Sequence, residues 1–317
     1  MKVAATELYP HPGYENHIAM NLNTDMGGRV SMEEMQEAIK AYKLAPGTKM
    51  EDIQIPGPEE GQTLKLRVIT PAGLLKNSPV ILDIHGGGFV SGNVDIDNYR
   101  NIHLAEHTPC IVVSVEYRLA TPELPYPAQL MDCRAAYLWL RKNAAQLGGD
   151  PERIGVHGTS AGGNLSAALA LYLRDHGERQ PELTVLNCPG LDIGLSTSKR
   201  QFGQLGVNDV YAKAIEAIYV GQNRLGQAIP YYAMPGLCPD LRGLKPHMVV
   251  VGEYDPLRDE GIRYAMKLLE DGSPCELICA PRVTHGFCVV DQPLTRWTHN
   301  GICAAFRREF GMPIVDY

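Results

Sequence analysis

The chain has 317 residues, of which 44% are hydrophobic and 21% are charged, and its formal net charge is -7 at pH 7. This composition is typical of a globular protein with a sizeable core, and it excludes a disordered or fibrous chain. Because the charge is negative and lysine and arginine are not clustered, nucleic-acid binding is not expected.

The amino terminus and the cysteines set limits on location and on metal chemistry. The first residues mix charged and apolar side chains and lack the run of about 7–15 apolar residues that a signal peptide needs. No run of about 18 apolar residues could span a membrane. The sequence therefore predicts a cytoplasmic protein without a membrane partner. Its eight cysteines form no CxxC pair, so neither a zinc site nor a disulfide framework is predicted, and no cofactor is expected.

Eight short runs rich in β-branched residues are predicted to be strands, and helical patterns alternate with the later ones. The predicted strands are residues 51–55, 64–70, 80–84, 111–117, 153–156, 183–187, 248–251 and 276–279. The predicted helices are residues 31–44, 128–147, 161–175, 257–271 and 294–310. The first two strands read as an antiparallel pair, and the later alternation indicates βαβ crossovers. The predicted fold class is α/β, with a mostly parallel eight-stranded sheet flanked by helices.

The segment between the sixth and seventh predicted strands is longer than a usual α/β connection. We interpret residues 190–245 as an inserted helical cap, with a helix near residues 210–220. The amino-terminal residues 1–45 are expected to join this cap. Residues 46–189 and 246–317 are then the two parts of the core.

The motif Gly-Thr-Ser-Ala-Gly at residues 158–162 lies between a predicted strand and a predicted helix. A sharp strand-turn-helix exposes a serine hydroxyl at the carboxyl edge of a sheet, and flanking glycines let neighbouring backbone pass close to it. This context predicts that Ser160 is a nucleophile. The alternative is a glycine-rich packing turn without a catalytic role.

Three consecutive glycines follow another predicted strand, in the stretch His-Gly-Gly-Gly-Phe at residues 85–89. Such a loop can point backbone N–H groups into a cavity, and the oxyanion of an acyl transfer needs donors of that kind. The Ala161 N–H, at a helix N-terminus beside Ser160, can add another donor. The alternative is a structural or phosphate-binding loop, although no lysine follows as it does in a P-loop.

Four stretches together resemble the hormone-sensitive-lipase-like branch of the α/β-hydrolases, the bacterial family IV esterases. They are HGGGF at residues 85–89, GTSAGG at 158–163, DPLRDEG at 255–261 and HGF at 285–287. The family usually has GDSAG, so Thr159 indicates the GTSAG sub-branch. The resemblance implies an α/β-hydrolase fold and hydrolysis of esters with short to medium acyl chains. It also implies oxyanion donors from Gly87, Gly88 and Ala161, and a homodimer formed through the last strand and helix.

The base and the acid are chosen from the residues that follow the last strands. In α/β-hydrolases the triad runs in the order serine, acid, histidine. His285 stands in a loop after a predicted strand, whereas His299 lies within a predicted helix, so His285 is the predicted base. Asp255, at the start of a helix, is the preferred acid, and Glu253 stays open as an alternative.

The predicted reaction is acyl transfer, in which His285 removes the Ser160 proton and Asp255 orients the imidazole. The preferred function is a serine carboxylesterase acting on a small-molecule ester. An amide hydrolase or deacetylase would use the same triad, and a non-catalytic ligand-binding member of the fold is a third alternative. Because all three triad residues are present, an enzyme is favoured.

Overall fold

A computed structural model describes residues 8–22, 44–205, 214–215, 217–221, 228–289 and 291–315. The helix predicted at residues 31–44 lies outside these residues, except for Leu44, which is not helical. Among the described helices, none has both the length and the apolar character needed to cross a membrane. The cytoplasmic location stays a prediction.

A single eight-stranded sheet forms the centre of the described structure. Its strands are β1 (Lys49–Pro56), β2 (Thr63–Thr70), β3 (Ser78–Ile84), β4 (Ile111–Glu116), β5 (Gly149–Thr159), β6 (Thr184–Asn187), β7 (His247–Gly252) and β8 (Cys275–Ala280). Their order is β1-β2-β4-β3-β5-β6-β7-β8. Strand β2 is antiparallel to β1 and to β4, and every other pair is parallel. All eight predicted strands and the mostly parallel α/β-hydrolase sheet are confirmed.

Seven α-helices have stated bounds in the described part of the chain. They are α1 (Glu15–Leu22), α2 (Asn98–His107), α3 (Ala128–Asn143), α4 (Ala161–Asp175), α5 (Thr197–Phe202), α6 (Arg258–Glu270) and α7 (Pro293–Glu309). Helix α4 has the predicted bounds, α6 and α7 match to within a residue, and the predicted helix at 128–147 divides into α3 and the 3-10 helix Ala144–Leu147. Helices α1, α2 and α5 were not predicted.

Apolar cores on both faces hold helices against the sheet, and two of these cores meet at β3, one on each face. Strand β3 is buried along its whole length, as expected for a central strand covered on both sides. Leu82 belongs to the core that contains Leu165 of α4. The adjacent Ile81 belongs to the other core, with Phe306 of α7. The alternation of neighbouring side chains between the two cores is the period of two that a strand imposes.

The segment between β6 and β7 contains no strand among its described residues. It contains α5 and the 3-10 helix Pro235–Leu237. Residues 214, 215 and 217–219 are helical, in the range where a cap helix was predicted. The cap boundaries themselves stay a prediction.

Candidate active site

Ser160 lies in a sharp turn between β5, which ends at Thr159, and α4, which begins at Ala161. Its φ is +57°, a left-handed value that is uncommon for a residue other than glycine. The Ser160 N–H donates to the Asn187 carbonyl at 2.9 Å, and the Ser160 carbonyl accepts from the Asn164 N–H at 3.0 Å. The strained turn is thus held by hydrogen bonds from both sides.

Close backbone contacts explain the two glycines that flank this serine. A Cβ on Gly158 would lie 2.2 Å from the carbonyl oxygen of Gly162. A Cβ on Gly162 would lie 1.9 Å from the carbonyl oxygen of Ile84. Both obstacles are backbone atoms, which cannot rotate away as a side chain can. The turn therefore requires glycine at both positions.

Ser160, His285 and Asp255 form a hydrogen-bonded chain after the carboxyl ends of β5, β7 and β8. His285 Nε2 lies 3.0 Å from Ser160 Oγ, and His285 Nδ1 lies 2.9 Å from Asp255 Oδ2. Asp255 Oδ1 accepts from the Leu257 N–H at 2.7 Å, which fixes the carboxylate. Because Asp255 can only accept, Nδ1 carries the proton and Nε2 is left to accept the serine proton.

Glu253, the alternative acid, and His299, the alternative base, do not join this chain. Glu253 Oε2 accepts from the Arg282 N–H at 2.8 Å. His299 is fully buried in α7. Neither side chain has a hydrogen bond to Ser160 or His285 among the described residues. Of the two carboxylates that the sequence left open, Asp255 is the one that meets His285.

The electrostatic environment of His285 raises the pKa of its imidazole. Burial lowers the pKa of His285, but the charge of Asp255 and its hydrogen bond outweigh this effect and raise the pKa above its ordinary value. Asp255 is fully buried, so little water screens its charge. This arrangement can take a proton from Ser160 and stabilise the imidazolium that results.

The glycine loop that follows β3 lies directly against Ser160. A Cβ on Gly86 would be 3.4 Å from the Ser160 Cβ. Gly87 and Gly88 have φ values of +119° and +61°, which glycine adopts readily. Within the described residues, neither N–H donates to a backbone carbonyl. Ala161 begins α4, and the first N–H groups of a helix have no acceptor inside the helix. All three N–H groups can therefore donate to an anion.

A buried charge cluster that the sequence analysis missed lies behind the turn. Arg100 donates to Asp83 Oδ1 at 2.6 Å, to Asp97 Oδ1 at 2.9 Å and to Thr159 Oγ1 at 2.5 Å. Burial opposes ionisation of Asp83, but Arg100 and His157 outweigh it and lower the Asp83 pKa. Burial raises the pKa of Asp97 to about 6. One signal was available, because a carboxylate inside an apolar strand, as Asp83 is, needs a buried partner.

One group among the residues that the structure describes has the spacing of metal ligands. Cys188 Sγ, a carboxylate oxygen of Asp255 and a ring nitrogen of His285 lie within 4.8 Å of one another. Asp255 and His285 are hydrogen bonded to each other. Burial raises the pKa of the Cys188 thiol well above its usual value, which disfavours the thiolate that a metal would need. This donor set fits a metal poorly.

These features agree with comparisons against known proteins. The chain belongs to the alpha/beta hydrolase fold family, which it matches over residues 81–289. Carboxylesterase NlhH of Mycobacterium tuberculosis is 35% identical over 289 residues, which are 89% of this chain and 89% of that protein. Ethyl acetate hydrolase of Pseudomonas putida is 32% identical over 240 residues, or 72% of each chain.

A solved structure gives the same result. Esterase LipW from Mycobacterium marinum superposes with a TM-score of 0.80 at 32% identity, covering 88% of this chain and 87% of LipW. The protein is thus a carboxylic ester hydrolase of the α/β-hydrolase family, which favours an enzyme over the ligand-binding alternative. The esterase relatives support the hormone-sensitive-lipase-like branch, whereas the GTSAG sub-branch stays a prediction.

Proposed function

We propose that the protein is a serine carboxylesterase that hydrolyses esters of short to medium acyl chains through an acyl-enzyme on Ser160. The observation that carries this proposal is the hydrogen-bonded chain from Ser160 Oγ through His285 to Asp255, with distances of 3.0 and 2.9 Å. This chain supports the proposal, because acyl transfer requires a nucleophile, a base and a carboxylate that orients the base, in that order.

Acylation begins when His285 Nε2 takes the hydroxyl proton of Ser160 as Oγ attacks the ester carbonyl carbon. The carbonyl π electrons move onto oxygen, and the N–H groups of Gly87, Gly88 and Ala161 stabilise the resulting anion. When the anion collapses, the bond to the alkoxy oxygen breaks. His285 gives its proton to the departing alcohol, and the acyl group stays on Ser160.

Deacylation repeats these steps with water. His285 removes a proton from a water molecule, whose oxygen attacks the acyl carbon. The second anion collapses with loss of Ser160 Oγ, which regains a proton from His285. The products are a carboxylic acid and an alcohol, and the enzyme returns to its starting state. Asp255 stabilises the imidazolium in both halves.

Two observations support a small acyl group. The relative named ethyl acetate hydrolase acts on an acetyl ester. Phe89, which follows the glycine loop, stacks on Tyr219 with ring centroids 3.7 Å apart and planes 5° apart. Tyr126 meets the Tyr219 ring edge-on at 6.0 Å. Because Phe89 and Tyr219 are buried, this aromatic cluster limits the space beside the loop and favours short chains.

The test is hydrolysis of p-nitrophenyl esters from acetyl to palmitoyl, with Ser160→Ala and His285→Ala measured alongside. We expect the rate to peak at short acyl chains and both variants to lose on the order of 10³-fold or more in kcat. Ser273→Ala is a matched control, because it also removes a buried hydroxyl. Ser273 precedes β8, at the amino ends of the parallel strands, whereas the site lies at their carboxyl ends. Full activity in either site variant would refute the triad. Faster cleavage of matched anilides would favour the amide hydrolase.

We also propose that residues 1–45 and 190–245 form a cap and that two chains form a homodimer through β8 and α7. Strand β8 borders the sheet and pairs with β7 alone in the described structure. Leu277 of β8 and Trp297 of α7 are 37% and 58% exposed. Light scattering of the wild type should give twice the mass of one chain. The Trp297→Glu variant should give a lower mass, because the charge weakens the interface. A wild-type monomer at micromolar concentration would contradict the dimer.

A further inference from the structure

We propose that Arg100 is a positioning residue, which keeps the turn that carries Ser160 in register with the glycine loop. The inference rests on the proposed role of Ser160. Arg100 belongs to α2, which packs on the face of the sheet opposite α4, and its side chain is buried. A charged side chain in that place needs fixed partners, because burying an unpaired charge is costly.

The guanidinium joins the ends of two adjacent strands. One nitrogen donates to Asp83 Oδ1 at 2.6 Å, and Asp83 is the second-to-last residue of β3, which leads into the glycine loop. The other donates to Thr159 Oγ1 at 2.5 Å, and Thr159 is the last residue of β5, next to Ser160. Strands β3 and β5 are parallel neighbours. Arg100 therefore bridges the two backbones at the point where each enters the site.

The surroundings of Arg100 hold it in one orientation. It also donates to Asp97 Oδ1 at 2.9 Å. Asp83 accepts in addition from Asn101 Nδ2 at 2.7 Å and lies 3.0 Å from His157 Nδ1. The planar fork of arginine can serve two acceptors at once in a fixed geometry, whereas a lysine ammonium cannot copy that arrangement.

The relative position of the glycine loop and the Ser160 turn matters because both act on the ester carbonyl of the substrate. The loop donates hydrogen bonds to its oxygen, and Ser160 Oγ attacks its carbon. Oxyanion donors are effective at about 2.7–3.1 Å, and a displacement of about 1 Å can cost about 100-fold in rate. A Cβ on Gly86 would be 3.0 Å from the Thr159 carbonyl oxygen, so loop and turn are already in contact. A bridge between their strands would keep the donors and Ser160 Oγ at a constant separation.

Thr159 offers the mildest test of this bridge. Thr159→Val keeps the shape of the side chain but removes the acceptor, whereas Thr159→Ser keeps the hydroxyl. Ser114→Ala is the matched control, since it removes a buried hydroxyl of the same cluster that lies 3.4 Å from Asp83 Oδ2 and does not touch Arg100. For an acetyl ester we expect Thr159→Val to lower kcat about tenfold with KM changed less than about twofold. The serine variant and the control should stay within about twofold of wild type.

Two further measurements separate positioning from stability. Arg100→Lys should lower kcat by at least the factor seen for Thr159→Val, and the double variant should add little, since both remove the contact between Arg100 and Thr159. A boronic acid that mimics the tetrahedral intermediate should bind Thr159→Val more weakly, by the factor lost in kcat/KM. A merely structural role would lower the thermal midpoint and leave the kcat of the folded enzyme and the boronate affinity unchanged.

Three results would overturn the proposal: a kcat for Thr159→Val within about twofold of wild type, equal losses in Thr159→Val and Thr159→Ser, or an unchanged boronate affinity. Ser160→Ala, assayed beside them, separates this inference from the proposed function. An active Ser160→Ala would refute the nucleophile. An inactive Ser160→Ala with a fully active Thr159→Val would refute the role of Arg100 alone.

Discussion

Replacing Asp255 by asparagine removes the buried charge that faces His285 and one of the two acceptor oxygens, because an amide has a single acceptor oxygen. Asp255 Oδ2 lies 2.9 Å from His285 Nδ1, and the carboxylate is fully buried. Two unit charges about 4 Å apart, at an effective dielectric constant of about 20, interact by about 4 kcal/mol. Because about 1.4 kcal/mol corresponds to tenfold in rate, losing this stabilisation of the imidazolium should lower kcat on the order of 10³-fold.

The same substitution should move the pH dependence. Asp255 raises the pKa of His285, so kcat/KM of the wild type should fall as the pH drops through a value above that of an ordinary histidine. Without the carboxylate charge the pKa of His285 drops. The acid limb of the residual activity in Asp255→Asn should then lie at lower pH than in the wild type.

The assay is hydrolysis of p-nitrophenyl acetate between about pH 5 and about pH 9. Glu253→Gln is the matched control, because Glu253 accepts from the Arg282 N–H and does not contact His285. The control should keep kcat within about threefold of wild type. The reasoning would be refuted by a kcat of Asp255→Asn within about tenfold of wild type, by an acid limb that does not move, or by a larger loss in the control.

Four more substitutions test two glycine contacts and a buried ion pair. Gly162→Ala should give an inactive or unfolded protein, since its Cβ would lie 1.9 Å from the Ile84 carbonyl oxygen; a folded, active variant would contradict the close contact. Gly301→Ala in α7 should raise the free energy of unfolding by about 0.5–1 kcal/mol, because the new methyl group meets a β8 side chain at an ordinary 3.6 Å; a lower urea midpoint would count against this. Glu260→Met should cost about 3–5 kcal/mol in the same assay, because it leaves the buried Lys199 ammonium, now 2.6 Å from Glu260 Oε2, without its counter-charge. Adding Lys199→Met should recover part of that loss, and a double variant no more stable than the single one would argue against the pair.

The strands were predictable because each central strand is an apolar run buried on both faces, as β3 and β7 are. Helix α2 was not predictable in that way. Its buried residues include Asn98, Arg100, Asn101 and His103, so the apolar period of 3.6 residues is absent from its sequence. Three apolar residues of the helix do join the core, but the polar side chains buried beside them obscure the periodic hydrophobic signal.

The sequence could predict those parts of the site whose motifs directly follow a predicted strand. The glycine loop and Ser160 could be placed together because β3 and β5 carry them to the same edge of the sheet. The sequence favoured Asp255 as the acid but left Glu253 open, since both follow β7 within three residues and side-chain direction decides between them. The contacts of Arg100 were out of reach because they depend on how α2 packs.

Where Gly162 approaches the Ile84 carbonyl, no side chain separates helix α4 from strand β3. A backbone contact this close resists sliding of the two elements past each other, so we expect the serine and the glycine loop to keep a fixed separation. If the segment between β6 and β7 forms the proposed cap, we expect it to determine which acyl groups fit. Exchanging that segment for one from another esterase should therefore change which esters are accepted, while turnover of the smallest acetate ester keeps its rate.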